Sequence, residues 1–395
     1  MLHGIKVLSF THYLQGPSCV QILADLGADV VKIEPHKGAF ERGWSGCDAY
    51  KNGVSVFFML GNRNQRSFTV DLKSSEGKRV IYDLVKEYDV VVENYRAGVM
   101  GKLGFSYERL RQINPGLVYC SCSGYGDSGP YFKKPGQDLL AQSLSGLAAL
   151  NGPGGSPPVP LGSTVVDQHG AVLAALGIIT ALFDRERTGK GHKVDACLLN
   201  AALDLQTEPL GYYLNGGRLT PRTDSGLATR FHESPYGIYS TKDTYITLSL
   251  NSQEKLEKVF EPGALSRFSK RDQSSGRLEF DRVVAEQMRK RTTEEWIELF
   301  EANDIWYAPV HEYEDVLKDP QVQHNQVFLK MQHPVAGEVT VLNHPNRYDG
   351  KAPELRRLPP DLGSGTQEVL REIGYRQEEI DRLLREKVIT DGGKE

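Results

Sequence analysis

Asp167 stands in the stretch STVVDQHGAV (163–172), between a valine pair and the small, apolar run GAVLAALGIITAL. A carboxylate placed so close to a prospective core has either a partner or a task. Two roles suit it. Aspartate just ahead of an apolar-periodic run is a preferred helix N-cap, accepting hydrogen bonds from otherwise orphaned N–H groups. A helix N-terminus also stabilises an ionised carboxylate, and an ionised, partly desolvated carboxylate is a usable nucleophile. From this stretch alone the cap is the favoured reading, and the two roles are compatible. His169, two positions on, is either an acid–base group or an ordinary first-turn residue.

Groups able to hold a ligand gather where strands are predicted to end. THYLQGPS (11–18) lies between a strand and a helix, where open α/β sheets bind ligands. It lacks a glycine fingerprint, so a dinucleotide pyrophosphate is not indicated, and spacing alone makes it an ordinary βα loop. Arg63, Arg66 and Lys73 surround one strand, and Asn94, Arg96 and Lys102 follow another. Either set could hold phosphates or an adenine ring, although each alone reads more simply as a solvated face. Gly124, Gly126 and Gly129 match G-x-G-x-x-G literally, but Pro130 and YFKKPG follow where a helix should open, so a turn-rich loop is expected. The 10 histidines form no cluster with metal-ligand spacing, so no metal site is expected. A G-x-S-x-G elbow for a serine hydrolase is absent.

These residues need a scaffold, and the flanking pattern supplies one. Residues 5–34 read as strand (IKVLSF), loop, helix (CVQILADLG) and strand (ADVVKIEP), with Pro17 at the helix start and Gly27 at its end. Such a βαβ unit implies parallel strands and a right-handed crossover. RSFTVDL, SEGKRVIYDLVKEY behind a serine cap, DVVVENY, YERLRQINPG and LVYCSCSGYG continue the alternation, predicting a doubly wound α/β domain. A helix over 168–187 is apolar nearly all round before its basic end and is expected to be buried. KVDACLLNAALDLQ reads as another strand-to-helix transition, and GGRLTPRTDSGLATR as a linker. YGIYSTKDTYITLSL is hairpin-like, and SQEKLEKVF and TTEEWIELFEAND suggest short helices. The expected organisation is a large Rossmann-like domain from 1–215, a linker and small α+β domain from 216–320, and a segment from 321–395 returning to the large domain.

The composition is that of a globular chain, 39% hydrophobic and 25% charged, with 47 basic against 51 acidic residues. Nucleic acid or an anionic membrane is therefore not an expected partner. No apolar run is expected to reach the length of a membrane span. The 5 cysteines are few and lack paired spacing, fitting thiols in a reducing compartment. MLHGIKVLSF enters a strand-like run at once without signal-peptide features, so a cytoplasmic location is expected.

Taken together, the blocks resemble the family III coenzyme A transferases, which include the α-methylacyl-CoA racemases. The resemblance spans nearly the whole chain. It is carried by the stretches at 4–35, 62–78 and 89–130, by PGQDLLAQSLSGL (135–147), VDQHG (166–170), RERTGKGHKVDACLL (185–199) and SPYGIYSTKD (234–243). It implies an interlocked-ring homodimer, each ring having a Rossmann-like large domain, completed by C-terminal residues, and a small α+β domain. It assigns Asp167 as the nucleophile that carries CoA through anhydride and aspartyl-CoA thioester intermediates. CoA contacts are implied at Leu14, Gln15, Val70, Asp71, Leu72, Lys73, Asn94, Tyr95, Arg96, Lys102, Gln137 and Asp138. Gln15, Trp44, Gln137 and His169 become candidates for the acid pocket. The implied partners are an acyl-CoA and a carboxylic acid, with no tightly bound cofactor.

The chain departs from the formyl-CoA transferases at informative places. Their V-Q-A-G-P loop reads Tyr13-Leu14-Gln15-Gly16-Pro17, with the glutamine displaced by one residue. Their glycine-rich loop is SLNSQEKLEK, without glycine, and Gln137 stands where they have tyrosine, whereas Arg42-Gly43-Trp44 matches. These differences point to an acid other than oxalate or formate. A racemase would need a histidine at the Gln137 position, since an amide cannot act as a base near neutral pH. A non-catalytic acyl-CoA-binding protein is the further alternative, opposed by the retained Asp167. A nucleotide-dependent oxidoreductase is opposed by the failed glycine fingerprint.

Overall fold

The computed structural model describes residues 1–392; the last three residues of the expected 321–395 segment lie outside the described residues. The chain divides by packing into two units, one formed by Met1–Ala141, Ser163–Leu205 and the stretch from His324 onward, the other by Gln142–Gly162 and Gln206–Gln323. This division departs from the expected boundaries, for residues 142–162 and 206–215 fall with the second unit. Hydrogen bonds within that unit explain why. The Arg222 guanidinium donates to the carbonyls of Asn151 and Ser156 at 2.9 and 2.7 Å, and Gln206 donates to that of Ser145.

The first unit is built on six parallel strands: β1 (Lys6–Phe10), β2 (Asp29–Glu34), β3 (Gln65–Val70), β4 (Val90–Glu93), β5 (Val118–Ser123) and β6 (Lys193–Cys197). Their order is 3-2-1-4-5-6, with a short strand, Ile389–Thr390, pairing antiparallel on the outer edge of β3. The order reverses between β1 and β4, which opens a crevice at the carboxyl ends of those strands. The helices that matter below are α1 (Gln15–Asp25), α2 (Ser75–Glu87), α3 (Val99–Leu103), α4 (Tyr107–Ile113), α5 (Asp138–Leu144), α6 (Val165–Thr188) and α7 (Leu198–Asp204). Alternation along each strand feeds two cores. Val7, Val90, Val92, Cys120 and Cys122 face α1 and α6. Leu8, Phe10, Val91 and Tyr119 face α2 and the C-terminal Val369, Leu370, Ile380 and Leu383. The carboxyl edge thus carries loops from several strands, while both faces are covered.

Three local expectations are corrected. The α1 helix starts at Gln15, so Pro17 lies inside its first turn, where a missing N–H is harmless. The α6 helix starts at Val165 rather than 168 and is not buried all round. Its small residues Ala171, Ala174 and Ala175 let it press against α1 and the sheet, while Val172, Leu176 and Phe183 on the opposite side are 52%, 59% and 60% exposed. By length and composition α6 is also apolar enough to cross a membrane, contrary to the reading of the sequence.

In the second unit the expected hairpin forms as β7 (Tyr236–Ser240) and β8 (Tyr245–Ser249), extended antiparallel by β9 (Tyr307–Pro309). Its core is aromatic, with Trp296, Phe300, Phe280 and Tyr239 packed together.

Candidate active site

Asp167 occupies the first turn of α6, and another carboxylate does the capping. Oδ2 of Asp138 accepts the N–H groups of Val166 and Asp167 at 2.8 and 3.0 Å. Asp138 is buried, and two glycines explain how it arrives there. Gly136 lies against Gly124 in the loop after β5, so close that a Cβ on Gly124 would stand 2.5 Å from the Gly136 Cα. The decoy glycine motif is therefore a turn that pins the PGQD loop, and no helix opens behind it. The remaining first-turn N–H groups are also used, Val165 donating to Ser163 and Gln168 to Thr164.

Half-buried and facing the Asp138 carboxylate, Asp167 is pushed up to about 7, chiefly by loss of solvent and then by the Asp138 charge. The helix start does not keep it fully ionised at neutrality, contrary to the expectation for a carboxylate at a helix N-terminus. Burial and the facing Asp138 charge together outweigh the helix dipole there.

Around this carboxylate the first loop and α1 are fitted tightly. Gln15 is buried, and a Cβ on Gly170 would sit 2.7 Å from its Nε2. Gly16 is required by Thr11 and Asn94, which would stand 2.7 and 3.0 Å from a Cβ there. The Asn94 side chain bonds the backbone of His12 twice, accepting its N–H at 2.9 Å and donating to its carbonyl at 2.7 Å. One asparagine thus fastens the loop after β4 to the loop after β1, across the switch-point crevice.

From there an aromatic row runs outward. The His12 ring contacts Tyr95 and Tyr13, each at 5.2 Å, Tyr13 contacts Phe40 at 5.3 Å, and Phe40 stacks on Trp44 at 6.1 Å. Tyr13 holds a left-handed backbone, φ 62°, which turns its ring out of the loop. The segment carrying Phe40 and Trp44 is anchored by two ion pairs, Lys32–Glu41 at 3.0 Å and Arg42–Glu34 at 2.7 Å.

Residues 2–366 match the family model described as CoA-transferase family III. The chain belongs to that family. It is an enzyme, a CoA-transferase with acyl-CoA as substrate. It is 32% identical to the succinyl-CoA:glutarate CoA-transferase of Mus musculus over 98% of this chain and 90% of that one. With the succinyl-CoA:mesaconate CoA-transferase of Haloarcula hispanica it shares 31% identity over 94% of this chain and 96% of that one. A crystal structure of a CAIB/BAIF family protein from Brucella suis superposes with a TM-score of 0.81 at 28% identity, covering 94% of this chain and 99% of that one.

Within this family III transferase the expected ligand residues fall into groups. Leu14, Gln15, Asn94, Tyr95, Asp138 and Asp167 converge on the carboxyl edge around β1, β4 and β5. Val70, Asp71, Leu72 and Lys73 end β3 at the same edge, two strands from β1. The Val70 side chain is wholly in the core, so only its backbone faces outward chemistry. Arg96 and Lys102 are exposed, the latter on α3, and so is Gln137. His169 is drawn away from Asp167, with Nε2 2.7 Å from Asp204 on α7, as residues two apart on a helix face different sides. A cavity of about 960 Å³ runs beside α1 and α6, walled by Leu14, Ser18, Gln168 and Val172. Among the described residues no cluster of metal-ligating side chains occurs. The sequence reading passed over Glu93, Ser121 and the Asp127–Lys193 pair, and over His12 and Tyr13. A charged residue closing the apolar run VVVE was the available signal for Glu93.

Proposed function

We propose that this enzyme moves CoA from an acyl-CoA donor to a free dicarboxylic acid, with Asp167 as the covalent carrier. The observation that carries the reading is a half-buried carboxylate set over a second carboxylate, at the edge of the switch-point crevice. The Asp167 carboxylate attacks the donor thioester carbonyl, forming a mixed anhydride and expelling CoA thiolate. The thiolate attacks the Asp167 carbonyl of that anhydride, which releases the donor acid and leaves an aspartyl-CoA thioester. The acceptor carboxylate attacks this thioester, forming a second anhydride and freeing the thiolate. The thiolate then attacks the acceptor carbonyl, giving the new acyl-CoA and restoring Asp167. Each step keeps the activation energy in a covalent bond.

The first-turn N–H groups of α6 are occupied, so the oxyanion needs another donor. The Gln15 amide fits that need, because its contact with the Ala196 carbonyl is long, 3.5 Å. A dicarboxylic acceptor larger than oxalate is supported by the relatives that act on glutarate and mesaconate and by the altered first loop. A homodimer is supported by the exposed stripe Val172, Leu176 and Phe183, spaced to form one apolar face of α6, and the interlocking of its rings rests on the family resemblance.

Incubation with succinyl-CoA and hydroxylamine should convert Asp167 to the hydroxamate, located by mass spectrometry, and glutarate should yield glutaryl-CoA. Deuterium uptake at an α-carbon without transfer to any acid would replace this reading with the racemase. Binding without either reaction would replace it with a binding protein.

A further inference from the structure

Glu93 closes β4, with Phe10 of β1 and Ser121 of β5 as its register neighbours. It is 7% exposed, and its two oxygens have different duties. Oε2 accepts the Tyr95 N–H at 2.9 Å, which fixes the turn bearing Asn94–Arg96. Oε1 lies 2.8 Å from the Ser121 hydroxyl. That same hydroxyl lies 3.1 Å from Asp127 Oδ1, and one O–H proton cannot serve both carboxylates.

Asp127 has the stronger claim to it as an ion. Lys193 Nζ donates to Asp127 Oδ2 at 2.6 Å and lies 2.9 Å from Asp195. Burial raises the Asp127 carboxyl, but Lys193 outweighs this and holds it below the ordinary range. With the Ser121 proton given to Asp127, the Ser121 oxygen faces Glu93 Oε1 as an acceptor. Two oxygens 2.8 Å apart need a proton between them, and Glu93 is left to supply it. Among the described residues Glu93 has no ion pair. Burial, assisted by the Asp127 charge and opposed by the Ser121 and Tyr95 hydrogen bonds and the Lys193 charge, pushes its carboxyl up to about 7. The other ionisable groups around it are Lys193 on β6, whose charge pulls the Glu93 carboxyl down but is shared with Asp127 and Asp195, Tyr119 and Cys120 on β5, and Tyr95 in its own turn.

We propose that Glu93 is a positioning residue working as a neutral acid: its proton, shared with Ser121, sets the Asn94–Arg96 turn to receive the polyanionic CoA moiety, and losing it weakens acyl-CoA binding. This rests on the transferase reading, which makes that turn part of the CoA site. An ionised Glu93 would stand opposite ionised Asp127 across one hydroxyl and beneath an incoming polyanion, and both repulsions oppose binding. By linkage, CoA binding then draws a proton onto Glu93.

The test is calorimetric binding of coenzyme A to the whole protein from about pH 6 to about pH 8.5. The wild-type dissociation constant should rise above neutrality, approaching about ten-fold per pH unit. Glu93→Gln keeps a donor for Ser121 and an acceptor for Tyr95 at every pH, so its curve should be shallower than the wild type's, retaining only what the titrations of CoA itself and of Asp167 contribute. In Asp127→Asn the opposing charge is gone, so the rise should begin at lower pH. In turnover the difference should fall on the acyl-CoA KM and not on kcat. Identical curves for wild type and a folded Glu93→Gln overturn the proposal. If that variant does not fold, an unmoved curve in Asp127→Asn overturns it. Failure of the wild type to bind coenzyme A at any pH would overturn the transferase reading instead.

Discussion

Asp25 and Asp167 sit on neighbouring helices that pack together, and the helix dipole would rank them the wrong way round. Asp25 ends α1, where a negative charge is unwelcome, and Asp167 begins α6, where it is favoured. Yet Asp25 is the settled one. The Arg63 guanidinium grips it at 3.0, 3.2 and 2.5 Å, and Asn64 adds a fourth bond at 2.8 Å. Asp167 has a carboxylate for a neighbour and no matching cation among the described residues. At these two sites the nearest charged partner decides more than the dipole does. The compensated acid holds the fold, and the uncompensated one is left able to react.

The contrast can be broken at either end. Asp167→Ala should lower CoA exchange by about a thousand-fold or more, since it removes the covalent carrier, and should not lower the melting temperature at pH 8. A normal rate in that variant would remove Asp167 from the mechanism. Arg63→Ala should do the reverse, costing about 3–5 kcal/mol in denaturant unfolding by stranding Asp25, while the pH–rate profile of the folded fraction keeps its shape. Replacing Asp25 and Arg63 together by apolar residues should recover most of that loss.

The pH dependence should separate the two acids further. Exchange requires ionised Asp167, so kcat should rise about ten-fold per unit at low pH and level off above about 7. Folding stability runs the other way. The folded state holds the Asp167 proton more tightly than the unfolded chain, so this group's contribution is full below the ordinary carboxylate range. It declines as pH rises from there to about 7. The smallest effect is expected from Asp138→Asn, which keeps an acceptor for the capped N–H groups but removes the charge facing Asp167. The acid limb of the rate profile should move below 7, at a cost of about 1 kcal/mol or less in helix capping.

Much of the scaffold was legible because period-two alternation and serine caps are local signals. The alternation along KVLSF and VVVE, and Ser74 before α2, needed no knowledge of the rest of the chain. The cap of α6 was not legible, because its acceptor comes from 29 positions upstream through a loop held by two glycines. Burial of α6 was overestimated because composition cannot distinguish a face covered by the chain's own core from one left for another surface. The aromatic row was invisible for a similar reason: His12, Tyr95, Phe40 and Trp44 arrive from three separate loops. Glu93 was hidden by its ordinary place at the end of a strand, where only the crowding of Ser121 and Asp127 gives it a role.

The antiparallel strand on the rim of β3 has a consequence for biosynthesis. Thr390 pairs with Thr69 across 321 positions of sequence. On the ribosome, β3 must therefore wait with an unfilled row of N–H and C=O groups until almost all of the chain has emerged. An open strand edge is a template for another chain. Nascent copies should accordingly be most prone to edge-to-edge aggregation late in translation, before Ile389 and Thr390 have paired with β3.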